Sequence, residues 1–291
     1  MFQIFYNFLE SFAYIALAAV GMSIIYVMTG ITNMAQGELM LVGALIASYL
    51  GALCHLPFWA CILCAMAGTA VVGIVIDRLV LARLYKRPGD SLVCTYGVSL
   101  ALMQVGTIIS GTGAPAISAP FSTVLIGSRS YSVYKFVIIG AALLVFFVLY
   151  LIFNKSRFGL YARATMQRRE IASAMGVNVN RMNIIIIVLA SCLGGLAGAL
   201  YAPTMSVTGT YGSNFLTHAF VAMIIGGSNP LVGTLLAAVL LAIVESLLSL
   251  YFGSFIGRIG MLLIAILIIR VMPGGFSGLV ERIQGKMRIK H

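Results

Sequence analysis

The sequence predicts an all-α polytopic membrane protein, one domain over 1–291 with about eight or nine transmembrane helices and broken or re-entrant segments. Three observations carry this. Hydrophobic residues make up 61% of the chain and charged residues 9%, with mean hydropathy +1.08. A soluble domain carries about 25% charged residues and could not hide this much apolar surface. Long apolar runs fill most of the chain, and a helix needs about 20 such residues to cross a bilayer. Finally, fifteen of the eighteen Lys and Arg fall into three short blocks, 78–87, 155–181 and 270–290, leaving only Arg129, Lys135 and Arg258 elsewhere. Such clustering is the positive-inside bias, so all three blocks are expected in the cytoplasm.

The apolar runs place candidate spans at 8–29, 38–54, 57–79, 92–109, 134–153, 183–201, 215–225, 231–251 and 260–271. The second carries Gly43, Ala47 and Gly51 four apart, the sixth Gly194 and Gly198, and Gly253 and Gly257 precede the last. Stripes of this kind let helix backbones approach closely. In the fourth, Thr95 and Tyr96 sit beside Gly97, set to bond a polar solute or a neighbouring helix. The seventh is short. It reads as a ninth span or as half of a broken helix joined through Gly226-Gly227-Ser228-Asn229-Pro230. Three spans precede the first block, two separate it from the second, and four lead to the third. That parity puts the N-terminus outside, where the first seven residues carry no positive side chain, and the C-terminus in the cytoplasm.

The net charge of +11 reflects scarce acids rather than many bases, so no nucleic-acid partner is expected. Cys54, Cys61, Cys64, Cys94 and Cys192 lie in or beside apolar runs, and Cys61 and Cys64 read as small buried residues rather than a redox pair. No His/Cys cluster suggests a metal. The start lacks a basic stretch and a cleavage site, so no cleavable signal is expected.

Two interruptions stand out, Thr29 to Glu38 and Gly226 to Gly233, each setting glycines and polar groups between apolar stretches. At membrane depth, irregular backbone persists only where protein or a water-filled cavity satisfies it, and broken segments often border a transport path. Glu38 and Glu245 are the two acids away from span ends and loops. A carboxylate in hydrocarbon normally faces the bundle interior, a cavity or a partner. Polarity next to broken backbone nominates Asn33, Gln36, Glu38, His218, Asn229 and Glu245 as path residues. Structural hydrogen bonds, or tight turns at the surface, are the competing reading of each.

No HExxH, GxSxG or GxxxxGK[ST] motif is present, so the chain is not expected to be an enzyme or to hydrolyse nucleotide itself. In the second basic block, 160–175 holds good helix formers without Gly or Pro, and Gly176 fits a helix stop. This predicts a short cytoplasmic helix offered to a partner or resting on anionic membrane lipid.

Glu170-Ile171-Ala172-Ser173-Ala174-Met175-Gly176 resembles the Glu-Ala-Ala-three-residue-Gly loop of ABC importer permeases, with Ile171 departing from the first Ala. The stretch Ser156 to Ala164 resembles the approach to that loop in the LivH-type branched-chain amino acid permeases. In order along the chain, Gly30 to Glu38 resembles that family's Asn-Phe/Met-Ala-His/Gln-Gly-Glu signature. Ala219 to Gly227, with Gly233 and Glu245, resembles its late Gly-Gly segment, and Arg270 to Phe276 its Pro-x-Gly ending. The resemblance implies a permease of the bacterial inner membrane. Its coupling loop at 155–182 would present Arg163, Arg168, Arg169, Glu170, Ala172 and Gly176 to the ATPases, and 273–291 would form a basic cytoplasmic tail. It further implies a second related permease, two ABC ATPase subunits that bind the ATP and Mg, and an extracytoplasmic solute-binding protein. No cofactor is expected in this chain. Urea or short amides, or a stand-alone carrier or channel, remain as alternative functions.

Overall fold

The computed structural model describes residues 2–85, 87–117, 123–126, 129–272 and 275–278. The expected basic tail therefore lies outside the described residues except for 275–278. Eleven helices are labelled here: α1 Phe2–Thr29, α2 Gln36–Leu53, α3 Phe58–Ile76, α4 Pro88–Ser110, α5 Val133–Lys155, α6 Arg157–Gln167, α7 Arg169–Ala174, α8 Val179–Tyr201, α9 Tyr211–Gly226, α10 Val232–Phe252 and α11 Ser254–Val271. Helix α3 runs on through a widened turn, Asp77–Leu81, into Ala82–Leu84. A short antiparallel hairpin, β1 Thr123–Ile126 and β2 Arg129–Ser132, pairs Thr123 with Ser132 between α4 and α5.

Among the described residues, eight helices are long and apolar enough to cross a membrane: α1 to α5, α8, α10 and α11. The ninth candidate, α9, has 16 residues, about 24 Å of helix at 1.5 Å per residue. Its first turn is tied to α8 by the Tyr211 hydroxyl, which donates to Gly198 O at 2.8 Å. Its last residue lies against Gly233 at the start of α10. It thus runs through the bundle rather than folding back halfway.

Helix α1 is the axis, packed by α5, α6, α8, α9 and α10. Its one charge is Glu10, and its middle is lined with small buried residues, among them Ala13, Ala16, Ala18 and Ala19. Helices α2, α3 and α8 form a second layer. There the glycine stripes act as expected: a Cβ on Gly43 would lie 2.6 Å from Gly195 Cα, so the two backbones touch. Helices α4 and α11 lie at the periphery, with 17% of their most apolar stretches buried against 83% for α1.

The helix expected over 160–175 is two helices. Arg168 breaks it in extended conformation, φ −151° and ψ 105°. No Gly or Pro marks the break, so composition gave no sign of it. Its consequence is that Arg169 turns back toward the bundle instead of following the face of α6. Gly176 stops α7 as predicted. It adopts φ +88°, its N–H donates to Ser173 O, and the Val177 N–H donates to Ala172 O.

Candidate functional site

The described parts of the three basic blocks meet at one end of the bundle. Arg169 donates to Met28 O at 3.1 Å and to Thr29 O, capping the C-terminus of α1. Arg163 donates to Asn154 Oδ1 at 3.1 Å at the end of α5. Ser277, just past Arg270, hydrogen-bonds Ser228 after α9. This is called the basic end here, and the opposite one, where α1 begins, the amino end.

The sequence-nominated path residues fall in three places. The first is the broken segment before α2. Gly30 to Ala35 returns into the bundle so that α2 begins deep inside it, where Gln36 Nε2 donates to Ala190 O at 3.0 Å, midway along α8. Asn33 Oδ1 accepts from Ala35 N–H at 3.1 Å. Thr95 binds the same loop from α4, its hydroxyl accepting from Met34 N–H at 3.2 Å and donating toward Thr32 O at 3.3 Å. Thr95 therefore bonds a neighbouring segment. Glu38 is 1% exposed, with Oε1 accepting from Ser99 and Oε2 buried without a partner. It lies beside Gly212 of α9. The loop is thus held by α1, α4, α8 and α9 together.

The second place is a cavity of about 340 Å³ at the amino end. It is lined by groups from six helices, including Glu10 and Tyr14 of α1, Lys135 of α5, Tyr201 of α8, His218 of α9, Glu245 of α10 and Arg258 of α11. Here two nominated residues meet: His218 Nε2 is 3.1 Å from Glu245 Oε1. Across the cavity Glu10 pairs with Lys135. The Tyr14 ring stands edge-on to His218 and its hydroxyl donates to Asn214 O at 3.0 Å. The cavity is thus lined by a Glu10–Lys135 ion pair, a His218–Glu245 contact and Arg258, groups able to bond a polar solute.

Asn229 is in neither place. It sits at the basic end, where its Oδ1 accepts from Leu231 and Val232 N–H at 3.1 Å each and caps α10. There it lines a second cavity with Met28, Asn154, Arg163 and Gln167.

Sequence reasoning did not nominate Glu10, Tyr14, Lys135 or Arg258. The signal was present: Lys135 and Arg258 are two of the three bases outside the basic blocks. A base that departs from the positive-inside pattern needs a local reason, and here both line the amino-end cavity.

At the basic end, α6 and α7 present the residues predicted for coupling in two directions. Arg163, Arg168 and Glu170 are exposed, as are the apolar Ile171 and Met175, whereas Ala172 is buried. Arg169 instead reaches α1. It also faces Tyr85, whose hydroxyl donates to the buried Asp77. Burial, reinforced by that carboxylate, pushes the Tyr85 phenol well above its usual range, and the Arg169 charge opposes the shift.

The chain is similar over nearly its whole length to known permease proteins. It is 28% identical to a probable branched-chain amino acid transport permease protein LivH of Methanocaldococcus jannaschii, covering 91% of this chain and 88% of that one. It is 24% identical to the high-affinity branched-chain amino acid transport system permease protein LivH of Escherichia coli K12, covering 91% and 92%. The ribose import permease protein RbsC of the same organism is 26% identical over 84% of this chain and 77% of its own. Among solved structures, PsaBC from Streptococcus pneumoniae in complex with Fab has the same fold, with TM-score 0.50, 17% identity and coverage of 92% and 90%. The model of the family described as branched-chain amino acid transport system / permease component matches residues 4–272, and the chain belongs to that family.

Proposed function

We propose that the chain is the transmembrane permease of a binding-protein-dependent ABC importer for branched-chain amino acids or related small solutes. The observation that carries this reading is the Arg169 contact, which joins an exposed helix pair to the broken segment of the path. Helix α7 offers Glu170, Ile171 and Met175 outward, a mixed polar and apolar face fit to dock on an ATPase subunit. Motion of that face would pull on the C-terminus of α1, one residue before Gly30 opens the loop that carries Asn33, Gln36 and Glu38. Alternating access is then two arrangements of one bundle, biased by nucleotide at the basic end and by loaded binding protein at the amino end.

In this reading the basic end faces the cytoplasm and the amino end the outside, which the clustering of the basic blocks supports. The amino-end cavity receives the solute. Its polar lining, in which Arg258 has no ion pair among the described residues, favours a solute with a carboxylate, such as an amino acid, over a neutral sugar or urea. The assembly comprises a second related permease, two ATPase subunits that hold ATP and Mg, and a solute-binding protein outside the inner membrane.

The test is uptake of radiolabelled leucine, ribose and urea into proteoliposomes carrying the co-purified complex, with and without internal ATP and binding protein. Leucine uptake that needs both is the expected result. Dependence on both for urea alone would keep the mechanism and change the substrate. Uptake indifferent to both would make the chain a stand-alone carrier or channel. Glu170→Arg and Gly176→Pro should each abolish uptake while the complex still inserts. The second is incompatible with the left-handed Gly176 backbone, because proline fixes φ near about −65°.

A further inference from the structure

The cavity at the basic end takes no part in the path described above. It measures about 460 Å³, within the roughly 300–1,000 Å³ of small-ligand sites. Its lining comes from α1, α5, α6 and the start of α10. Phe153, Met166 and Leu231 make one part apolar, and Arg163, Asn154, Gln167 and Asn229 make the other polar.

The polar part is rich in donors and poor in acceptors. Arg163 is its one charge, and no carboxylate lines the cavity or pairs with that guanidinium among the described residues. A guanidinium offers five N–H donors and no acceptor. One of them goes to Asn154 Oδ1. That bond occupies the Asn154 oxygen and leaves its amide nitrogen to donate elsewhere. Asn229 is in the same position: its Oδ1 is taken by Leu231 and Val232 N–H, so its amide nitrogen is also left to donate. What the cavity lacks is an acceptor that carries negative charge.

Two features say where that acceptor comes from. Tyr150 and Val232 of the lining are 52% and 43% exposed, on two helices long and apolar enough to cross a membrane. The cavity also lies where bases collect, with Lys155 and Arg157 exposed in the same stretch of chain. The positive-inside bias sets this end against the cytoplasmic leaflet, which carries anionic lipid. A free anion would leave the apolar part unfilled. A phospholipid brings a phosphate for the guanidinium and tails for the apolar rim.

We infer that the basic-end cavity is a binding site for the head group of an anionic phospholipid. Arg163 and the amide N–H groups of Asn154 and Asn229 hold the phosphate. Gln167 bonds the polar alcohol of the head, and the acyl tails lie outside along Tyr150 and Val232. Arg163 is then a lipid ligand, while Arg168 and Glu170 stay free to meet an ATPase subunit. The inference rests on the membrane-spanning helices and is independent of the importer reading.

The test is photolabelling of the full chain, purified in detergent, with phosphatidylglycerol that carries a diazirine near the head-group end of one tail. Phosphatidylcholine with the same tails is the comparison, and insertion sites are read by mass spectrometry. Phosphatidylglycerol is expected to mark the peptides holding 150–154 and 229–232 about five-fold more than phosphatidylcholine, the effect of one cation on an anionic lipid at the membrane surface. Arg163→Gln is expected to erase that preference. Arg157→Gln removes a base of α6 that does not line the cavity, and is expected to keep it. Equal labelling by the two lipids, or a preference that survives Arg163→Gln, overturns the site. Loss of preference in both variants would make it a diffuse charge effect and overturn it as well. If Arg163→Gln fails to insert, the lipid ratio on the native chain decides, with excess inorganic phosphate added. Phosphate that displaces the label beyond the effect of chloride at equal ionic strength would show a site for a free anion and overturn the lipid assignment. With co-purified ATPase subunits the label is expected to persist, and its loss would give the cavity to the protein interface instead. No step needs transport, so the result on the chain alone stands whether or not the import assignment does.

Discussion

The two interruptions of the bundle look alike in sequence and are built differently. The segment after Gly226 is held largely by neighbours close in the chain. Gly226 and Gly233 touch, Asn229 caps the helix that follows, and Ser277 and Gly275 meet the segment at Ser228 and Gly227. The segment after Thr29 is held from elsewhere: Thr95 of α4 binds Thr32 and Met34, Gln36 binds α8, and Arg169 of α7 holds the helix end before it. A turn that satisfies itself is a fixed corner. A loop whose polar groups are satisfied by three other helices moves when they move. The second interruption therefore reads as scaffold and the first as the mobile part.

Substitutions at the two breaks sharpen this contrast. The largest effect is expected from Gly233→Val. Its Cβ would fall 2.0 Å from Gly226 O, backbone against backbone. The cost is about 3 kcal/mol or more, read as loss of folded protein on heating the solubilised chain. Arg169→Ala should cost about 2 kcal/mol by leaving two carbonyls without their charged donor. Unlike the glycine change, it should cut ATP-driven uptake more than it lowers the melting temperature. Equal losses of both would make Arg169 a simple brace. Thr95→Val strips one donor and one acceptor from the loop and should cost about 1.5 kcal/mol, again with uptake falling further than stability. Asn229→Ala is expected to be mildest, about 1 kcal/mol for a lost helix cap. It should leave uptake per folded molecule unchanged, and a transport defect there would move the second interruption into the path.

Much of this was legible in sequence, because hydropathy and charge act over whole helices. The long spans, the two breaks and the stop at Gly176 follow from run length, polarity and glycine alone. The meeting of His218 with Glu245 did not follow. Each residue was conspicuous, but their pairing depends on the register in which α9 packs on α10, and neither helix has a polar stripe that fixes it. The break at Arg168 was hidden for a related reason. It sets Arg169 on carbonyls 141 and 140 positions away in the chain, and no local propensity records that. Asn229 caps α10 and also lines a cavity, because polarity beside a break marks a cap as readily as a path.

The place of α1 at the axis sets a demand on the order of synthesis. It is the first helix made, yet partners that bury it come late: Tyr14 binds Asn214, and Ser23 receives the Thr234 hydroxyl 211 residues further on. At about 5–20 residues per second, that interval is roughly 10–40 s. For that time α1 waits among lipids or early helices with its future interior faces uncovered. A long apolar run whose one charge, Glu10, lies near its amino end lets it wait in hydrocarbon at little cost. The same residues later admit α8, α9 and α10 at close range, so the helix that must tolerate lipid first is the one that ends farthest from it.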